Sequence, residues 1–95
     1  MKPVIWSPEA QAQLREQGEW LALRSAASAS RMIVDVLERS DQLGREIDRG
    51  RPGRFEGTRE CSIPKWHKVL VYRRSDRQID ILAIIHTRMK PPDKL

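Results

Sequence analysis

The chain has a single cysteine, Cys61, in 95 residues. It therefore has no intrachain disulfide, and no sulfur cluster with metal-ligand spacing. Its longest unbroken apolar run is Ile81-Leu82-Ala83-Ile84-Ile85, far short of the ~20 residues that a membrane-spanning helix needs. The opening Met1-Lys2-Pro3-Val4-Ile5-Trp6 holds no apolar core of the kind a secretory signal carries, so a reducing cytoplasm is the expected setting. A serine elbow and zinc spacing are both missing, and Gly50, Gly53 and Gly57 do not fall into a nucleotide-binding pattern. No cofactor and no metal is expected from such a chain.

What is present is charge, and it is unevenly placed. The net charge is +5. Residues 1–48 carry six basic and eight acidic side chains, a balance of −2, whereas residues 49–95 carry twelve and five, a balance of +7. A basic half on a slightly acidic half points to an anionic partner: nucleic acid, a ribosome or an acidic protein segment. The length suits one domain, 1–95, with a modest core.

The hydrophobic pattern then orders the elements. Pro3–Trp6 reads as a short strand. Ser7-Pro8-Glu9 starts a helix, with a capping hydroxyl, a proline at the first turn and an acid at the positive end of the dipole. That helix is expected over residues 10–24, with Trp6 and Trp20 as core anchors. A second helix is capped by Ser25 or Ser28. Ala29, Met32, Ile33, Val36 and Leu37 form its stripe, and Gly44 lies just past its end. The stretch Arg45–Gly57 mixes Gly50, Pro52, Gly53 and Gly57 with four arginines, so a basic loop without regular structure is expected. Three strands follow, at Thr58–Ile63, Lys68–Arg73 and Ile79–His86, with a turn at Ser75–Gln78. Residues 87–95 are expected to be an irregular tail. The sum is an α+β fold: a short N-terminal strand and an antiparallel two-helix hairpin packed on a twisted antiparallel sheet, which a C-terminal three-strand meander completes.

Several segments resemble the RelE/ParE toxins of type II toxin–antitoxin systems. They are Pro3-Val-Ile-Trp-Ser-Pro-Glu-Ala10, Gly53-Arg54, Thr58-Arg59-Glu60, Val71-Tyr72-Arg73, Ile79-Asp80-Ile81-Leu82 and Ile85-His86-Thr87-Arg88. They follow in the family's order and at about its spacing, from Val4 to about Arg88. The resemblance implies a growth-inhibiting toxin neutralised by a cognate antitoxin. RelE-like members cleave mRNA on the ribosome, and ParE-like members poison DNA gyrase. The Thr58-Arg59-Glu60 strand and the His86–Arg88 end look closer to the ParE side. The helices carry no lysine-rich cluster and no tyrosine follows the last strand, two departures from the RelE side.

The residues define two sets of site expectations. Metal-free RNA cleavage needs an acid, a base and cations for the phosphorane. The candidate machinery for it is Arg59, Arg73, His86 and Arg88, since histidine titrates near neutrality and arginine's fork suits phosphate oxygens. Glu60 is a candidate base, but strand alternation turns it away from Arg59. A chain that acts by binding instead would use Arg51, Arg54, Lys65, Trp66 and Arg88 as target or phosphate contacts, Lys65-Trp66-His67-Lys68 joining charge to a stacking surface. The antitoxin is expected on the exposed side of the helical hairpin and along the 79–86 strand or its edge.

Overall fold

A computed structural model describes residues 1–46 and 50–88. The order is β1 (Val4–Trp6), α1 (Pro8–Ala22), α2 (Ala26–Leu43), β2 (Arg51–Pro52), β3 (Arg59–Ile63), a 3₁₀ turn (Pro64–Trp66), β4 (Lys68–Arg74) and β5 (Ile79–His86). Both helices start where the hydroxyls predict. Ser7 Oγ accepts the Ala10 amide at 3.0 Å and Ser25 Oγ accepts that of Ser28 at 3.1 Å. Ser25, not Ser28, is therefore the second cap.

The sheet order is β1-β5-β4-β3-β2. β3, β4 and β5 form the expected antiparallel meander, but β1 runs parallel to β5, so the sheet is mixed. This pairing also places β5 inside the sheet. Of the antitoxin contacts expected on that strand, its edge is not open, because β1 occupies it. A second correction concerns the basic loop. Arg51 and Pro52 pair with Glu60 and Arg59 as a two-residue edge strand. Proline is tolerated there because an edge position can spare its amide. Residues 47–49 of that stretch and residues 89–95 of the expected tail lie outside the described residues.

Ala10 and Leu14 of α1 and Met32 and Val36 of α2 pack on Leu70, Tyr72, Ile79, Ile81 and Ile84. Full burial of each large aliphatic side chain contributes about 1.5–3 kcal/mol. The opposite face of the sheet is apolar as well, with Val71, Ala83 and Ile85 buried and Phe55 packed against them. A bulge opposite Val71 and Tyr72 leaves Leu82 without a partner. It puts Ile79, Ile81, Ile84 and His86 together on the helix side.

Gly18 and Gly44 stand at close approaches between elements. A β-carbon on Gly18 would press on Ile33 Cδ1 at 3.0 Å, where the helices touch. One on Gly44 would run into the Lys2 carbonyl. Gly44 has an ordinary right-handed φ of −71°, so the residue ends α2 by making room for β1, not by adopting the left-handed form expected of a helix-end glycine. Trp6 packs on the core and donates its indole N–H to Ser40 Oγ at 3.2 Å. Trp20 does not behave as expected: it is 57% exposed. It stands two residues past buried Gly18, hence about 200° around the helix from the Ala10–Leu14–Gly18 stripe.

Candidate functional site

Three features stand out on this scaffold, and the first is built around Glu60. On β3, alternation sends Arg59, Cys61 and Ile63 toward the helices and Glu60 and Ser62 the other way. Glu60 is 5% exposed. Its carboxylate accepts from Arg54 Nε at 2.9 Å, from the Arg54 backbone amide at 2.8 Å and from Arg51 Nη2 at 3.3 Å. The Arg54 guanidinium holds the Glu60 pKa far down, at about 2, against the opposing effect of burial. So low a basicity makes Glu60 a weak base at neutral pH. Arg51 also donates to Ser62 Oγ at 3.1 Å. The two arginines expected to grip phosphate thus brace their own loop.

The second feature lies at the far end of the sheet, where β4 begins and β5 ends. Lys68 and His86 are paired residues there. With Gln17 and Trp20 of α1 and Trp66 of the 3₁₀ turn they line a groove of about 580 Å³. Lys68 is 5% exposed and donates from Nζ to Gln17 Oε1 at 2.6 Å. Burial pulls its ammonium pKa below the ordinary lysine value. Gln17 in turn donates to the Ile84 carbonyl at 3.0 Å, and Gln13 accepts the Ile84 amide at 2.8 Å, so α1 fastens β5 by side-chain amides. The Trp66 indole donates to Asp35 Oδ2 at 2.8 Å, and Lys65 Nζ lies 3.4 Å from the same oxygen. His67 takes a left-handed φ of 54° to leave the turn, and its carbonyl accepts the Thr87 amide at 2.7 Å.

His86 is half-buried, and its Nδ1 accepts the Arg88 backbone amide at 3.1 Å. Its ring lies 6.3 Å from that of His67. Burial first, and then the neighbouring Lys68, His67 and Arg88 charges, push its pKa below 6.5.

The third feature is an apolar groove of about 660 Å³ along the helical hairpin, with Leu14, Ala22, Ala29, Ile33 and Leu37 in its walls. Leu37 is 41% exposed and the neighbouring Val34 52%.

Arg59, Arg73, His86 and Arg88 do not converge. Arg59 pairs with Tyr72, four positions along β4 from the Lys68–His86 pair, a separation of about 13 Å at roughly 3.3 Å per residue. Arg73 is five positions away and on the other face, where its Nη2 reaches the Glu56 carbonyl at 3.5 Å. Arg59 donates to the Gly50 carbonyl at 3.1 Å. Only Arg88 stays beside His86. Among the target-contact expectations, Arg51 and Arg54 share Glu60, Lys65 and Trp66 share Asp35, and exposed Arg88 adjoins His86, which lines the same groove as Lys65 and Trp66. Lys68, expected in the Lys65–Lys68 contact patch, faces inward instead, and Gln17 was not among the expected site residues. Lys68 alternates with Leu70 and Tyr72, two core positions, and that spacing was the available sign that it faces inward.

The model of the ParE toxin of the type II toxin–antitoxin system parDE matches residues 4–91. The chain belongs to this family. The protein Y4kP of Sinorhizobium fredii (strain NBRC 101917 / NGR234), named as a candidate toxin, is 29% identical over 94 residues, covering 99% of this chain and 97% of its own. A solved structure described as the chromosomal ParDE TA system from P. aeruginosa superposes with a TM-score of 0.83 at 23% identity. That match covers 93% of this chain and 98% of the other, and it shows that the fold is shared. Among the described residues, no helix of this ParE-family chain is long and apolar enough to cross a membrane.

Proposed function

We propose that this ParE-family chain arrests growth by binding DNA gyrase in the cytoplasm, and that a cognate antitoxin neutralises it. The observation that carries the binding mode is the scatter of the candidate catalytic set. His86 and Arg73 occupy opposite faces of the sheet, and in-line phosphoryl chemistry needs its acid, base and cations around a single phosphate. Glu60, the remaining candidate base, is locked as an anion by two arginines.

The antitoxin reading rests on the hairpin. An apolar groove between two amphipathic helices suits the apolar face of a third helix, which the exposed Leu37 and Val34 would extend. The expected antitoxin contact on β5 has less support, since that strand lies inside the sheet.

The discriminating experiment adds purified protein to a gyrase supercoiling reaction and, separately, to a translating extract with mRNA cleavage mapped. Loss of supercoiling, restored by the partner encoded beside this chain, is the expected outcome. Cleavage of ribosome-bound mRNA with supercoiling intact would instead establish a ribosome-dependent endoribonuclease.

A further inference from the structure

We propose that the groove between α1 and the 3₁₀ turn docks a protein segment that presents one carboxylate to Lys68 beside a large apolar side chain held between Trp20 and Trp66. The inference is independent of the target named above, because its test reads binding alone.

Lys65 at the mouth already faces Asp35, and so does the Trp66 indole N–H. Glu16 lies in the wall on the α1 side. With Arg24 stacked on Trp20 as a second cation, the mouth is close to neutral, and a repeating phosphate chain passing through it would meet two carboxylates. Deeper in, the balance differs. Lys68 is buried, its ammonium donates to one neutral amide oxygen, and no carboxylate among the described residues pairs with it. A buried ammonium without a counter-charge is costly. A single carboxylate arriving from the groove offsets that cost.

Shape supplies the rest. The volume of about 580 Å³ falls within the range of about 300–1,000 Å³ typical of ligand pockets. Its walls include two indoles and the buried side chain of Met32. Trp66 is fixed in orientation by its bond to Asp35, and Trp20 keeps 57% of its surface exposed while Arg24 stacks at 4.6 Å from its ring. A half-exposed aromatic wall around one buried positive charge is the complement of an apolar residue with an adjacent acid, as a protein segment supplies.

The test uses the full chain, ¹⁵N-labelled, titrated with N-acetyl-leucine, with its uncharged amide N-acetyl-leucinamide and with an eight-residue oligothymidylate. The expected result is saturable shifts at the Trp20 and Trp66 indole N–H signals and at Lys68 with N-acetyl-leucine, at a Kd on the order of 1 mM. Binding should be at least tenfold weaker for the amide. Lys68→Met should abolish the preference for the acid over the amide. Trp20→Ala, which removes an exposed ring and leaves the core untouched, should weaken N-acetyl-leucine binding about fivefold even where the lysine variant folds poorly. Equal binding of acid and amide, no shift at these signals, or tighter binding of the oligothymidylate at the same residues would each overturn the proposal.

Discussion

Arg54 holds Glu60 through both backbone and side chain: its amide and its Nε reach the same carboxylate oxygen at 2.8 and 2.9 Å. A loop rich in glycine is thereby tied to a strand by one buried anion. Glu60→Gln removes the charge but keeps the shape. The Glu60 pKa falls from 4.5 to about 2 on folding. A carboxylate with a depressed folded pKa stabilises the fold above its unfolded pKa, and that contribution is lost as pH drops through the folded value. Arg51 and Arg54 are 56% and 38% exposed, so water screens part of the effect. The variant should lose roughly 2 kcal/mol at pH 7. In urea unfolding, the gap between variant and parent should narrow between about pH 4.5 and pH 2. A gap that stays constant across that window would show that Glu60 is not held as an anion.

Much of this fold was legible because its signals are local. Ser7-Pro8-Glu9 writes a helix start on any scaffold, and Ile79–His86 is bounded by the turn residues before it. Non-local partners were not legible. Periodicity does not reveal that Val4–Trp6 lies parallel beside Ile79–Ile81, since the pairing is decided by which sheet edge the helical hairpin leaves open. The site suffered in the same way. Arg51 and Arg54 looked free for phosphate because Glu60, their partner, sits on another strand. Trp20 looked like core because aromatic character was weighed above its angle on the helix. Glu60 and Arg59 do face opposite sides of β3, which was legible because alternation depends only on neighbouring positions.

His86 should titrate below 6.5, because burial and then the Lys68 charge disfavour its imidazolium. A histidine whose folded pKa is depressed takes up its proton more readily when unfolded, so stability should decline as pH falls below 6.5. Replacing Lys68 by Met removes the second cause and should move the midpoint up toward the ordinary value. Proton NMR of the two imidazole C2–H signals, assigned with His67→Gln, measures both. An unchanged midpoint in Lys68→Met would break the link between these residues.

Growth arrest should survive His86→Ala, provided that circular dichroism shows the variant folded. A toxin acting by binding needs no imidazole acid. Induction in cells lacking the antitoxin scores this directly. A drop in toxicity of a hundredfold or more, in the range that general acid–base residues contribute, would return His86 to a catalytic role.

Gly44→Ala should destabilise the chain by about 1–3 kcal/mol, the usual range for overpacking a close contact. The added methyl group meets the Lys2 carbonyl, and the Lys2 amide is bonded to the Gly44 carbonyl at 2.8 Å. The damage should start at β1 and the end of α2, so hydrogen exchange should accelerate first at Lys2 and at Ile79, whose amide is bonded to the Pro3 carbonyl. Uniform acceleration across the sheet would mean that the contact acts globally.

The hairpin groove makes the sharpest demand on the antitoxin reading. Leu37→Asp sets a carboxylate in a mostly apolar wall that includes Leu14, Ala29 and Ile33. Leu37 is already 41% exposed, so the free chain should tolerate the change with little loss of stability. A helix seated in the groove would have to bury that charge against its own apolar face, at a cost of about 2 kcal/mol or more. Antitoxin affinity should therefore fall at least thirtyfold, and co-expressed antitoxin should no longer rescue growth. Leu23→Asp is the control, because Leu23 is 87% exposed and stands outside the groove walls. Equal effects of the two substitutions, measured by calorimetry on the purified pair, would show that the antitoxin rests elsewhere on the molecule.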